Sequence, residues 1–223
     1  MSLGAYLSRF GQENPELEED DDYQRWASQA KKAVLAAIQK QTDNKPGWIE
    51  GNSLDEQIGQ ELGGWDNLIQ LQRYAAHVHF TGQPPEKPAE ADDLDSDEYL
   101  LRYKAAIEEE SSKVSGGLQF RHLIMTGDQV RYIPLDFPEP LWVEENGSEA
   151  IMSIGSSHQL YYELTEINKH LLMVGDYGQL GDDDAWKLYE NEEDPWRFVK
   201  WAWIVLHWLA RESVNKKLSI YFE

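Results

Sequence analysis

The sequence predicts an α+β fold, mostly helical, with a small antiparallel sheet in its C-terminal half. Two patterns carry this expectation. Apolar residues recur at helical spacing over residues 23–41, 65–80, 97–110 and from Trp196 onward. They alternate with period two over Leu118–Ile124, resume strand character at Val130, Tyr132 and Ile133, and alternate again at Leu218, Ile220 and Phe222.

Taken in order, Leu3, Tyr6, Leu7 and Phe10 suggest a short first helix. The acidic run Glu16–Asp22 precedes a helix over Tyr23–Gln41 and suits its positive N-terminal end. Asn44, Pro46 and Gly47 stop that helix. Ser53 with Glu56 has capping-box spacing and predicts a further helix, broken at Gly63-Gly64. The next helix, Trp65–Phe80, should bury Trp65, Leu68, Ile69 and Ala75 or Ala76. Residues 81–95, rich in proline and acid, read as an exposed loop before a helix over 97–110.

Leu118–Ile124 and Val130–Ile133, joined through Thr126-Gly127-Asp128, read as a hairpin. Pro134, Pro138 and Pro140 then send the chain along an edge or the surface. Gly155-Ser156-Ser157 reads as a turn. Ser156 and Gln159 have capping-box spacing, so a helix should start there and bury Leu160, Tyr161, Leu164, Ile167 and Leu171. Asp194-Pro195 reads as an N-cap with proline at the first helical position. The helix that follows is apolar almost all round, as a buried central helix is, with Trp201, Trp203 and Trp208 in it. Leu218–Phe222 should add a third strand to the hairpin. The expected organisation is a single domain over 1–223, with a helical part (1–112) and a mixed part (113–223).

Composition narrows the function classes. Among 223 residues there are 41 Asp and Glu against 20 Lys and Arg, a formal net charge of −21. Such a surface repels nucleic acid and anionic membranes and draws basic proteins from a distance. No cysteine is present, which removes disulfides, thiolate catalysis and Cys-based zinc sites and fits the cytoplasm. The start MSLGAYLSRFGQENPE shows no basic stretch followed by an apolar run, so no signal peptide is expected. The run Phe198–Ala210 is too short for a membrane span and is broken by Lys200 and His207.

No catalytic signature stands out, and neither a cofactor nor a metal site is expected. His77 and His79 fall two apart on a helix and point to different sides. Asp93-x-Asp95-x-Asp97 begins like a calcium loop but has Glu98 where glycine is needed and Lys104 where the bidentate Glu belongs. Candidate binding residues are Asp136, the helix start Gly155-Ser156-Ser157, whose backbone N–H groups could cradle a phosphate, and the acidic loop Asp182-Asp183-Asp184.

The segment His122-Leu123, Tyr132-Ile133-Pro134-Leu135-Asp136-Phe137, Gly155-Ser156-Ser157, Leu160 and Glu163-Leu164 resembles a family of uncharacterised bacterial proteins. The resemblance covers about a quarter of the chain and implies a consistent fold more than an activity. Some small acidic proteins of similar build are immunity proteins against bacterial toxins. Residues and resemblance together suggest an acidic cytoplasmic module, of inhibitory or immunity type, that docks a basic protein partner. The alternative is a hydrolase-like enzyme built around His122, Asp136 and Ser156.

Overall fold

The computed structural model describes residues 2–12, 21–43, 46–52, 58–110, 117–125, 129–144, 151–173 and 182–223. It is α+β, with a six-stranded, mostly antiparallel sheet between helical layers. The strands are β1 (Gly4–Ser8), β2 (Ile58–Glu61), β3 (Gln129–Ile133), β4 (Leu141–Glu144), β5 (Ile151–Ser156) and β6 (Ser219–Phe222), ordered β2-β1-β6-β3-β5-β4. All neighbours run antiparallel except β3 and β5. The helices are α1 (Asp21–Thr42), α2 (Trp65–Thr81), α3 (Glu98–Glu110), α4 (Ser157–Leu171), α5 (Asp182–Glu190) and α6 (Arg197–Lys216).

Tyr132 and Ile133, consecutive in β3, belong to different buried clusters because successive strand residues face opposite sides. On the Tyr132 side, α2, α4 and α6 cover the sheet. On the Ile133 side, α1 covers β3, β4 and β5 through Val34 and Ile38 against Met152 and Ile154. The central element is α6. Trp201, Trp203, Leu206 and Leu209 are all buried, and α6 packs against α2, α4, α5 and β1. The Trp203 indole Nε1 donates to the Leu164 carbonyl at 2.7 Å, joining α6 to α4.

Several expectations are corrected. Residues 4–8 form strand β1, since Ala5 and Leu7 alternate toward the helices while Tyr6 pairs with Tyr221 on the other side. Ile58–Glu61 is edge strand β2 rather than helix. The proposed helix start at Ser53–Glu56 lies outside the described residues, as do the 126–128 turn and Glu16–Asp20. Leu118–Met125 is a series of turns, so the expected hairpin does not form. The neighbours of β3 are β5 and β6. Gly155 and Ser156 close strand β5 instead of making a turn. Trp65 and Tyr161 are exposed, and Tyr161 stacks on His207 at 4.6 Å.

Other expectations are met. Ser156 Oγ accepts the Gln159 N–H at 3.2 Å and caps α4, which buries Leu160, Leu164, Ile167 and Leu171. The strand Ser219–Phe222 joins the sheet beside β3. The expected cap of α6 is corrected: the helix starts at Arg197 with Trp196 as its cap, so Pro195 precedes it, and Asp194 accepts the Trp196 N–H at 2.9 Å from the turn ahead of the helix. Among the described residues, no helix is long and apolar enough to cross a membrane.

Candidate docking surface

Of the residues singled out from sequence in the C-terminal half, His122, Ser156 and Glu163 meet at one buried junction. Phe120 takes a left-handed conformation (φ +65°) and opens a single helical turn closed by Ile124 N–H to Phe120 carbonyl at 2.9 Å. The first N–H groups of such a turn lack internal partners. Glu163 of α4 supplies them, accepting from His122 N–H at 3.0 Å and Leu123 N–H at 2.8 Å. Burial pushes the Glu163 carboxyl up to about 8, against the opposing pull of the backbone N–H groups of residues 121–123.

The His122 ring ties two further segments to this turn. Nδ1 accepts the Ser156 N–H at 2.9 Å, and Nε2 lies 3.2 Å from the Pro138 carbonyl. A neutral ring protonated on Nε2 satisfies both contacts. Burial lowers its pKa to about 4, which keeps it neutral.

This geometry removes the hydrolase alternative. Ser156 Oγ is turned to the Gln159 N–H as a cap, while His122 holds the Ser156 backbone. Asp136 is exposed and accepts from the Gln159 side chain at 2.7 Å. Gly155, Ser156 and Ser157 are buried. Ser157 Oγ pairs with Ser213 Oγ at 2.6 Å, so this helix start meets α6 rather than solvent. Asp182–Asp184 fall in the first turn of α5, distant in sequence from the junction, and their side chains lie outside the described residues.

A cleft of about 400 Å³ opens beside the junction, between residues 117–121, Pro138-Glu139 and the α4 residues Gln159, Tyr162, Glu166, Lys169 and His170. Its charges are matched internally, Arg121 with Glu139 and Lys169 with Glu166.

The acids are displayed elsewhere, on the chain from Glu86 to Glu98. Glu86, Glu90, Asp92, Asp93, Asp95 and Glu98 are all exposed, and Lys87 is the one cation in that stretch. This loop is held in place rather than hanging free. Gln70 and Arg73, three apart on the buried side of α2, bond its backbone: Gln70 Nε2 to the Ala89 carbonyl at 2.5 Å, Arg73 Nη1 to the Lys87 carbonyl at 3.1 Å. Residues 91–96 wind into a 3₁₀ helix anchored by buried Leu94. Three residues per turn stack Asp92 over Asp95, roughly 6 Å apart along the axis.

Asp97 then fixes the end of the ledge. Its carboxylate accepts from Arg73 Nε at 2.7 Å and the Leu100 N–H at 3.0 Å, and lies 3.0 Å from His77 Nε2. Burial raises its pKa, but these three partners outweigh that effect and leave it below the usual carboxylate range. Sequence reading found the acids but missed Gln70 and Arg73. The available signal was the length of the loop, whose backbone groups need partners from somewhere.

The profile of one protein family, described as "Putative DNA-mimic protein", matches residues 1–222. The chain belongs to that family. Membership corrects the immunity-type reading, since the family description points to proteins that bind DNA and not to toxins. No curated protein and no solved structure matches the chain.

Proposed function

We propose that this protein docks on the DNA-binding surface of a basic, DNA-binding protein and occupies it in place of the duplex. The observation that carries the reading is the pinned ledge Glu86–Glu98, which presents six carboxylates as a fixed line of negative charge. A surface that binds phosphates with Lys and Arg responds to such a line through the same long-range field. Holding the ledge rigid before contact lowers the ordering cost of binding. The family description supports this choice of partner, and a chain without cysteine suits action in a reducing cytoplasm.

The test is a competition. A partner captured from cells is purified, bound to a fluorescently labelled duplex and titrated with this protein. The expected result is release of the duplex, weakened as salt rises and weakened again when Asp92, Asp93 and Asp95 are changed to Asn. A captured partner that keeps its DNA while binding this protein would overturn the proposal.

A further inference from the structure

We infer that the corner made by the end of α5 and the start of α6 receives arginine side chains, using aromatic faces and carboxylates together. The inference rests on the docking reading above and names the side chain that one part of the surface recognises. Trp186 and Phe198 are large aromatics left 43% and 37% exposed. They are held rigidly from behind. Trp186 lies 5.3 Å from the Trp201 ring, and Tyr189 bridges the two helices, 5.3 Å from Trp201 and 5.6 Å from Phe198.

Acids flank these rings. Glu190 follows Trp186 by one helical turn and shares its side of α5, and both are exposed. Glu192 and Glu193 are exposed in the turn between the helices. Asn191 orders that turn by accepting the Glu193 and Asp194 N–H groups at 3.2 and 3.1 Å. The chain itself shows the mode of contact, because the Arg197 guanidinium lies over the Phe198 ring at 4.7 Å; the incoming side chain is therefore left chiefly the exposed part of Trp186. The corner meets the helix that holds the ledge: Tyr74 of α2 packs edge-on against Trp196 at 5.2 Å, and Arg73 of the same helix bonds the Lys87 carbonyl.

A guanidinium can fork onto a carboxylate while its flat face lies on a ring; an ammonium ion is a compact, strongly hydrated point charge with no such face. Aromatic surface beside fixed carboxylates therefore selects arginine over lysine at equal charge. Phosphate-binding surfaces carry both residues, so this selection distinguishes among DNA-binding partners that net charge alone treats alike.

Capped octa-arginine and octa-lysine peptides serve as probes, titrated at low salt by calorimetry. The variant Trp186→Leu/Phe198→Leu keeps apolar bulk but removes both ring faces. Octa-arginine affinity should fall by about two- to five-fold in this variant, the effect of an exposed cation–π contact, and octa-lysine affinity by less, so that the arginine-to-lysine ratio falls. Glu190→Gln/Glu192→Gln/Glu193→Gln should weaken both peptides. A ratio unchanged by loss of the rings, or affinities unchanged by the Gln variant, overturns the inference. If the ratio is unchanged while the ledge still displaces DNA from a captured partner, docking stands and the corner fails. If displacement fails while the rings still set the ratio, the corner stands and docking fails.

Discussion

Glu163 Oε1 accepts the His122 backbone N–H at 3.0 Å across 41 positions of chain, and the His122 ring in turn accepts the Ser156 N–H at 2.9 Å. Two buried titratable groups thus join one turn to α4 and to the end of β5, with pKa values displaced in opposite directions.

Glu163 binds its proton more tightly in the folded state, at about 8 against 4.5. Its contribution to stability is complete below about pH 4.5 and is lost as pH rises toward about 8. Glu163→Gln keeps an acceptor and removes the titration. In denaturant melts, wild-type stability relative to this variant should fall with rising pH across that window, by at most about 1.4 kcal/mol per pH unit. A constant difference would show that Glu163 does not titrate there.

His122 behaves in the opposite sense. The unfolded chain takes up a proton near 6.5, whereas the folded ring resists until about 4, so stability is lost as pH falls from about 6.5 to about 4. His122→Gln can still accept and donate without charging. The expected outcome is a shallower acid-side decline in this variant, read by guanidinium melts between those two pH values.

Gly155 lies opposite Tyr132 in the β3–β5 register, and a Cβ at Gly155 would come within 2.6 Å of the Tyr132 ring. Gly155→Ala should therefore cost about 1–3 kcal/mol by overpacking. In a Tyr132→Leu background the same change should cost less, and a double-mutant cycle measures the coupling. Equal costs in both backgrounds would mean that the ring yields freely.

Trp203 is 2% exposed and its Nε1 donates to Leu164. Trp203→Ala should lower stability by about 3–5 kcal/mol in thermal or chemical melts. Trp203→Phe should recover much of this but not the hydrogen bond. A melting curve unchanged in both variants would contradict the central position of α6.

Helices α4 and α6 were legible because their signals are local: Ser156 caps three residues ahead, and apolar spacing in α6 marks burial on nearly every side. Strand β1 was not, since Leu3, Tyr6, Leu7 and Phe10 also fit a helical face and the deciding partner, β6, lies at the far end of the sequence. The alternation of Leu118–Ile124 misled for a related reason. Its turn persists because Glu163, forty positions on, accepts the N–H groups that a strand partner would otherwise have taken. The acids of the ledge could be read directly, but their rigidity could not, because Gln70 and Arg73 are polar residues that α2 buries. Phe198 read simply as a member of an apolar helix, and α5, which carries Trp186, was not foreseen, since Asp182–Asp184 read as a loop; the packing of α5 on α6 leaves both rings partly open to solvent.

Strand β6 sits between β1 and β3, and β1 exchanges backbone hydrogen bonds with it even at its outer end, Gly4 with Glu223 at 2.9 and 3.0 Å. During synthesis Gly4–Ser8 leave the ribosome ahead of Ser219–Phe222, which follow after roughly two hundred more residues, about 10–40 s later at ordinary elongation rates. Until then β1 has only the edge strand β2 as a sheet neighbour, and a lone two-stranded ribbon is marginal in water. Closure of the sheet is therefore a late, long-range event, and the nascent chain must keep its first strand out of unproductive pairings until its last one arrives.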